Sequence, residues 1–313
     1  MKRRGARTIA AMPTRVGSVE LRNPVMTASG TAGHGAELAP YVDLAGLGAV
    51  VVKSVCADPW QGNPAPRVHE VHGSMLNAVG LQGPGVLGWL RDDLPALLAT
   101  GATVVASIWG RSVDEYRRAA EMLEAAPPEV VAVEVNLSCP NVEDRAGMFA
   151  HSAEATRAAM EVTEACGRPR WAKLSPNAGD ILPIVDAAIA GGAEAVTLIN
   201  TVMGMAIDPA TRTYRLGNGG GGLSGAAIHP VAVRTVHDVR AARPDIAIIG
   251  VGGVTDAEDA AELIVAGANA VQVGTATFAD PRAPGMVAAG LVKWCQDHSI
   301  SKMDQLIGAI HGS

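Results

Sequence analysis

The chain has 313 residues, of which 48% are hydrophobic, and a formal net charge of −6. This composition provides apolar material for a large core and argues against a disordered chain or a protein that coats nucleic acid. Only 3% of the residues are aromatic, so few side chains can stack on bases or form the core of a large protein interface. We therefore expect a small polar ligand.

Targeting and redox signals are weak. The longest apolar runs are far shorter than the roughly 20 residues that a membrane span needs. The basic segment 1–11 is not followed by the apolar core of a signal peptide. We expect a cytoplasmic protein without a membrane span. The cysteines show no CxxC spacing, so we expect no zinc, iron–sulfur cluster or redox disulfide on this chain; they are Cys56, Cys139, Cys166 and Cys295.

Short apolar, β-branched runs recur along the whole chain and predict eight strands. They cover residues 24–27, 49–52, 103–107, 130–135, 171–174, 195–199, 246–251 and 270–273. Alanine-rich segments with helical periodicity lie between them, at 113–125, 153–165, 181–190, 230–242 and 257–266. This alternation indicates a parallel sheet buried on both faces. Eight units in about 250 residues favour a (β/α)8 TIM barrel, although periodicity alone also allows a doubly wound open sheet.

Two connections are too long for simple strand-to-helix loops. They span residues 54–101 and 201–229, and both leave the carboxyl end of a predicted strand. In a barrel this end carries the active site. The first connection is rich in glycine and proline, which predicts turns and short strands over the barrel mouth. Because no linker or change in composition divides the chain, we expect one domain over residues 1–313.

Polar residues follow or end several predicted strands, and in a barrel they would meet at one mouth. These residues are Ser29, Lys53, Asn136, Lys173 and Asn200. The chain has only five lysines, and two of them, Lys53 and Lys173, directly follow apolar residues of a predicted strand. Burying an ammonium group costs several kcal/mol unless it meets an anion. The two lysines therefore predict an anionic cofactor or substrate.

The last two strands end in glycine-rich turns, Gly250 to Gly253 and Gly274-Thr275. Glycine lets backbone N–H groups approach an anion closely, and these two loops are the usual phosphate site of such barrels. The run Gly217 to Gly222 also matches GxGxxG. We assign it no nucleotide, because no strand precedes it and residues 208–215 have the pattern of a polar loop.

The segment Glu134 to Val142 concentrates two amides, a hydroxyl and a thiol just beyond the fourth strand. Amides suit a ring that bears both carbonyl and N–H groups. The Cys139 thiol acts as a general base if its surroundings lower its pKa, and otherwise is an inert buried thiol.

Several strings in order resemble class 1 dihydroorotate dehydrogenases, above all the 1B (NAD-linked) catalytic subunit. They are NPVMTASGT at 23–31, VVKSV at 51–55, MLNAVGLQGPG at 75–85, NLSCPNV at 136–142, INT followed by GMAID at 199–208, and GGLSG at 221–225. The resemblance runs from about residue 15 to about residue 285. Cys139 separates the chain from the class 2 enzymes, which have serine there. Gly83, the segment 68–73 and the glycine-rich run at 217–222 depart from the family pattern.

The resemblance implies an FMN site across the barrel mouth. The implied cofactor-binding residues are Ala28, Ser29, Gly30, Lys53, Ser54, Asn136, Lys173, Ile199, Gly225, Gly252, Gly253, Gly274 and Thr275. The implied dihydroorotate-binding residues are Lys53, Asn77, Val79, Gly80, Leu81, Asn136, Asn141, Asn200 and Thr201. Cys139 is the implied catalytic base, which removes a proton from C5 of dihydroorotate while a hydride leaves C6 for FMN. The product is orotate, an intermediate of pyrimidine biosynthesis.

The resemblance also implies an electron-transfer subunit that carries FAD and a [2Fe-2S] cluster and passes electrons to NAD, within a homodimer or heterotetramer. Three other interpretations remain at this point: a fumarate-dependent 1A-like enzyme, a dihydropyrimidine dehydrogenase-like subunit, and an inactive barrel scaffold. His69 and His72 have the spacing of metal ligands, but they lack a matching carboxylate or third histidine, so no metal site is predicted.

Overall fold

The computed structural model describes residues 9–138 and 148–312. Its strands, in chain order, are β1 Thr14–Val16, β2 Val19–Leu21, β3 Val25–Thr27, β4 Val50–Val51, β5 Val68–Val71, β6 Ser74–Asn77, β7 Val104–Ile108, β8 Val130–Asn136, β9 Arg170–Lys173, β10 Ala195–Leu198, β11 Val202–Met205, β12 Ile207–Asp208, β13 Thr213–Tyr214, β14 Gly220–Gly225, β15 Ala247–Val251 and β16 Ala270–Val273.

The helices lie mostly between the strands of the main sheet. They are α1 Gly85–Gly88, α2 Leu94–Leu98, α3 Val113–Leu123, α4 Ala153–Val162, α5 Leu182–Ala190, α6 His229–Ala242, α7 Ala257–Ala266, α8 Ala276–Ala279 and α9 Ala283–Asp297. A π-helical stretch, Trp89–Asp93, joins α1 to α2. Short 3-10 helices occupy Leu44–Gly46, Phe149–His151, Thr163–Cys166, Ala226–Ile228, Met303–Gln305 and Ala309–Gly312. Within the described ranges, no helix is long and apolar enough to cross a membrane.

Eight parallel strands form the main sheet, in the order β3-β16-β15-β10-β9-β8-β7-β4. Its two outer strands come together through backbone hydrogen bonds, from Gly48 N to Val25 O at 2.8 Å and from Thr27 N to Ala49 O at 3.3 Å. A strand order that follows the chain and returns to its start is that of a (β/α)8 barrel. The predicted TIM barrel is therefore confirmed, and all eight predicted strands are present to within about two residues, a scatter ordinary for such boundaries.

Two apolar cores hold the barrel together. The larger core lies between the strands and the surrounding helices, where α3 buries Tyr116, Ala119, Ala120 and Leu123 at helical spacing. The smaller core fills the barrel interior with side chains such as Met26, Trp171 and Ile249. Val16 and Leu21 of the β1–β2 hairpin belong to this inner core. The hairpin therefore closes the amino end of the barrel and leaves the carboxyl end for a site.

The two long insertions pair with each other over that carboxyl end. The first contributes β5 and β6, and the second contributes β11 and β14, in one antiparallel sheet of order β11-β14-β6-β5. The two residues between β5 and β6, His72 and Gly73, both have positive φ, which is the geometry of a type I′ hairpin turn. The prediction of turns and short strands over the mouth is confirmed for residues 54–80; a helical segment from Gly85 to Leu98 follows.

The interpretation of residues 208–215 as a polar loop was wrong in part. β12 and β13 form a small antiparallel hairpin there, with Ile207 opposite Tyr214. The alternation of apolar and polar residues is too short to be recognised as a strand, and the pairing arises because the hairpin closes on itself. The following glycine run enters β14, which lies between β11 and β6.

Candidate active site

The carboxyl ends of the barrel strands and the paired insertions enclose a cavity of about 360 Å³. Its volume lies in the range of small-ligand and cofactor sites. Every predicted site residue that the structure describes lines this cavity: Ala28, Ser29, Gly30, Lys53, Ser54, Asn77, Val79, Gly80, Leu81, Asn136, Lys173, Ile199, Asn200, Thr201, Gly225, Gly252, Gly253, Gly274 and Thr275. Cys139 and Asn141 lie outside the described residues.

Hydroxyl and amide groups from separate strands form one network on the cavity floor. The Ser54 and Ser107 hydroxyls are 2.8 Å apart, and Ser29 Oγ lies 3.0 Å from Ser54 Oγ. Asn136 Nδ2 donates to Ser54 Oγ at 3.3 Å, and Asn200 Nδ2 donates to Asn136 Oδ1 at 3.1 Å. These contacts fix the orientation of both amides, so each presents a defined edge towards a ligand.

A contact from a surrounding helix fixes the position of β8 relative to this hydrogen-bond network. The Tyr116 hydroxyl on α3 donates to the Asn136 carbonyl oxygen at 2.7 Å. The parallel register then places Asn136 opposite Lys173 on β9. The sequence pattern contained no signal for the Tyr116 contact, because it joins a buried helix face to a strand end twenty residues later.

The two cavity lysines have different electrostatic surroundings. Lys173 Nζ lies 3.6 Å from Glu134 Oε1, and both side chains are buried. For Lys53, burial lowers the pKa of the ammonium group, and the charge of Arg67 lowers it further. Lys173 therefore already meets a carboxylate of this chain, while it also lines the cavity, and the anionic ligand stays a prediction for both lysines. The sequence alone places Glu134 on the same strand face as Asn136, two residues later, but its pairing with Lys173 depends on the register of β8 and β9.

Glycines in the loops after the last two strands leave the backbone free of side chains at the cavity. Gly252 and Gly253 have φ values of 140° and 70°, which other residues adopt only with strain. A Cβ at Gly253 would lie 2.6 Å from His229 Cβ and 3.0 Å from the Gly225 carbonyl oxygen. The loop precedes α7, whose N-cap Asp256 accepts from the Glu258 and Asp259 amides. Backbone free of side chains beside a helix N-terminus suits a phosphate group.

The glycine run 217–222 serves packing in this structure. A Cβ at Gly221 would lie 2.4 Å from the Asn77 carbonyl oxygen, and one at Gly222 would lie 2.1 Å from Thr201 Oγ1. These glycines let β14 approach two cavity-lining residues.

Some cavity residues were missed by the sequence reasoning. Ser175 and Asn177 follow β9 and line the cavity, where Asn177 Nδ2 donates to Ser175 Oγ at 2.8 Å and to the Thr201 carbonyl oxygen at 3.0 Å. The strand-end rule that selected Lys173 applies equally to them. By contrast, Asn63 comes from the first insertion, and its approach to the cavity follows from the tertiary fold alone.

Three thiols are described, and none is suited to act as a base near neutral pH. Burial raises the pKa of the Cys56 thiol to about 11. Burial also raises the pKa of the Cys166 and Cys295 thiols. Among the described residues there is also no group of three or more His, Cys, Asp or Glu side chains that could hold a metal ion. His69 lies on β5, and His72 is in the exposed turn after it.

Comparisons with known proteins agree with this architecture. The family model described as Dihydroorotate dehydrogenase matches residues 11–294. The chain is 45% identical to the Alkaliphilus metalliredigens protein named dihydroorotate dehydrogenase B (NAD(+)), catalytic subunit, over 96% of this chain and 98% of the relative. Relatives with the same name in Desulforudis audaxviator and Trichlorobacter lovleyi are 48% and 45% identical, over 95% and 96% of this chain and 96% and 99% of their own lengths. The chain belongs to the dihydroorotate dehydrogenase family.

Proposed function

We propose that this chain is a flavin-dependent dihydroorotate dehydrogenase of the NAD-linked 1B type, which oxidises (S)-dihydroorotate to orotate in pyrimidine biosynthesis. The observation that carries the proposal is one cavity that joins the glycine-rich loops after the last two strands to a network of fixed amides and a lysine. The relatives that match nearly the whole chain bear the name of this activity. The fumarate-dependent, dihydropyrimidine dehydrogenase-like and scaffold interpretations are not favoured.

We propose FMN as the flavin. Gly252, Gly253, Gly274 and Thr275 would hold its phosphate, and Ala28, Ser29, Gly30, Ser54, Ile199 and Gly225 would lie along the rest of the molecule. Lys173 would stand near the ring, where positive charge favours the reduced state. When bound, the flavin supplies the acceptor for the hydride.

For the substrate, Lys53 is the proposed partner of the dihydroorotate carboxylate. Asn77, Asn136, Asn141 and Asn200 would bind the ring carbonyl and N–H groups, together with Thr201 and the backbone of Val79, Gly80 and Leu81. Trp60 Nε1 donates to the Gly80 carbonyl oxygen at 2.9 Å and so holds this backbone in place. Short, fixed contacts of this kind lower the entropic part of the barrier.

The proton at C5 needs a base, and we assign Cys139 to that role. The three described thiols all have raised pKa values, which makes them poor bases at neutral pH. Cys139 is the remaining thiol of the chain. Its assignment rests on the family resemblance of the segment NLSCPNV.

We further propose that electrons leave through a separate subunit with FAD and a [2Fe-2S] cluster, in an assembly built on a homodimer or a heterotetramer. The support is the words "catalytic subunit" and "NAD(+)" in the relatives' names, and the lack of a clustered cysteine set in this sequence. Residues 1–313 would act as one flavin-binding barrel domain, since both insertions line the same cavity.

The visible spectrum of the purified protein, recorded without oxygen before and after addition of dihydroorotate, tests the function. We expect a flavin spectrum that bleaches with dihydroorotate and not with dihydrouracil. A flavin spectrum that dihydrouracil bleaches instead would contradict the proposed substrate. Protein that cannot be reconstituted with FMN would overturn the proposal.

The proposed phosphate site has its own test. Gly253→Ala places a Cβ against His229 and the Gly225 carbonyl oxygen, at a positive φ. We expect its affinity for FMN to fall at least tenfold, as measured by fluorescence titration of the apoprotein. Gly179→Ala is the matched control, because nothing lies within 4 Å of the added Cβ. Equal FMN affinity of both variants would show that the phosphate binds elsewhere.

A further inference from the structure

A buried carboxylate lies inside the barrel directly behind the cavity. Glu134 on β8 has 0% of its surface exposed, and its Oε2 accepts from Gln272 Nε2 at 2.7 Å and from Thr197 Oγ1 at 3.1 Å. These partners come from β16 and β10, so three strands of the barrel meet at this group. Its other oxygen, Oε1, has no hydrogen-bond partner and faces Lys173 Nζ at 3.6 Å.

The arrangement is costly in free energy, which argues for a role beyond filling space. An ionised carboxylate in a barrel interior loses its hydration, and an ion pair recovers this loss only when its geometry and its hydrogen bonds are good. The core below is built from apolar side chains such as Met26, Trp171 and Ile249. Apolar side chains of similar volume often serve stability as well as a buried ion pair does.

The position of the Glu134–Lys173 pair relative to the cavity indicates the role of Glu134. Lys173 lines the cavity, whereas Glu134 does not. The ammonium group therefore lies between the carboxylate and any bound ligand. What a ligand experiences at this wall is the sum of both charges, because interactions at such short range are weakly screened in a protein interior.

We propose that Glu134 is a positioning residue for the flavin site: it holds the Lys173 ammonium at the cavity wall, and its negative charge offsets part of the positive field that the flavin meets there. This inference rests on the proposed function, in which a flavin occupies the cavity. It implies that Glu134 weakens the binding of the anionic reduced flavin relative to the oxidised flavin, and so keeps the reduction potential low enough for electrons to leave.

Glu134→Gln tests the inference, because glutamine keeps the shape and one acceptor oxygen for Gln272 and Thr197 but removes the charge. The reduction potential of bound FMN is measured at one fixed pH for wild-type and variant protein, by stepwise reduction against a dye of known potential. We expect the ratio of the dissociation constants of oxidised and reduced FMN to rise at least tenfold. For a two-electron couple this is an upward shift of about 30 mV.

Thr197→Val is the matched control. It removes one hydrogen bond to Glu134 Oε2 and keeps the carboxylate charge. We expect the ratio of the dissociation constants of oxidised and reduced FMN to change no more than a few-fold in this variant. A shift of equal size in both variants would overturn the inference, because the effect would then come from disturbed packing.

If the single variant Glu134→Gln does not fold, we compare the reduction potential of FMN in two other proteins. These are the single variant Lys173→Gln and the double variant with both Lys173→Gln and Glu134→Gln. The double variant has a neutral pair and should bind FMN at a higher potential than the single variant. Equal potentials would overturn the inference. In all cases, wild-type protein that binds FMN and is reduced by dihydroorotate confirms the proposed function separately, whereas wild-type protein that binds no flavin overturns both.

Discussion

The position of Lys53 at the end of an apolar strand lowers the pKa of its ammonium group. Burial is the larger cause of its lowered pKa, and the positive charge of Arg67 is the smaller one. Arg67 is held by the Asn63 carbonyl oxygen at 2.6 Å and by the Gln61 carbonyl oxygen at 3.0 Å, so its charge stays near the cavity. A lysine in this state releases its proton more easily than a lysine in water.

This shift leads to a pH prediction. Only the protonated Lys53 attracts the dihydroorotate carboxylate, so affinity is full below the lowered pKa and is lost as pH rises through it. Arg67→Gln removes the smaller cause and should move the loss of affinity to higher pH. The apparent dissociation constant of dihydroorotate, taken from the concentration dependence of the flavin reduction rate between pH 6 and pH 10, checks this. Loss of affinity at the same pH in both proteins would contradict the assignment of Lys53 to the carboxylate.

Cys139 gives the second prediction at this scale. Serine is far harder to ionise than cysteine, so Cys139→Ser should slow flavin reduction by at least a hundredfold at pH 7, within the range typical of general bases. Rising pH should restore part of the rate. Cys166→Ser is the control, since that thiol is buried and contacts the Arg168 carbonyl oxygen at 3.7 Å. Stopped-flow reduction by dihydroorotate measures both variants; full activity of Cys139→Ser at pH 7 would eliminate it as the base.

At the scale of elements, β14 joins the two insertions over the site. Gly222 pairs with both Asn77 on β6 and Met203 on β11, and its missing side chain leaves room for Thr201. The packing of this strand thereby sets the position of two proposed substrate residues, although its own side chains are mostly absent.

Gly222→Ala should accordingly impair the substrate site. The added Cβ would overlap Thr201 Oγ1 and Cβ, so we expect a loss of about 1–3 kcal/mol of stability from overpacking. We also expect KM for dihydroorotate to rise at least tenfold. Gly220→Ala, whose Cβ would lie 3.3 Å from the Gly204 carbonyl oxygen, is the milder control on the same strand. Steady-state kinetics measures KM, and thermal unfolding measures the stability of both variants. An unchanged KM in Gly222→Ala would contradict the assignment of Thr201 to the substrate site.

The whole molecule divides its tasks between the two ends of the barrel. The carboxyl end carries the cavity, whereas the amino end is closed by apolar packing and by backbone contacts of Arg168. The Arg168 guanidinium donates to three backbone carbonyl oxygens. They belong to Val130 at 2.9 Å, Leu123 at 2.7 Å and Cys166 at 3.0 Å. One side chain thus ties the end of α3 to the connections before β8 and β9.

Arg168→Met should therefore lower stability without changing the chemistry. Several charge-assisted hydrogen bonds are lost and backbone carbonyls are left unpaired, so we expect a loss of about 3 kcal/mol. The exposed Arg234, paired with Asp238 one helical turn away, is the control, and Arg234→Met should cost less than about 0.5 kcal/mol. Chemical denaturation gives the stabilities. A KM for dihydroorotate that changes more than twofold in Arg168→Met would contradict the division between the two ends.

Local patterning was sufficient for the barrel and for most of the cavity wall. Buried parallel strands need unbroken apolar runs, and the residue after such a run must emerge at the mouth, so Lys53, Asn136 and Asn200 could be located from the chain alone. Contacts between distant segments leave no such periodic trace. The Glu134–Lys173 pair, the contact of the Tyr116 hydroxyl with β8 and the fit of Gly222 against Thr201 each depend on how two separate segments approach each other. Only the folded barrel brings those segments together, because register and close packing are properties of pairs of elements.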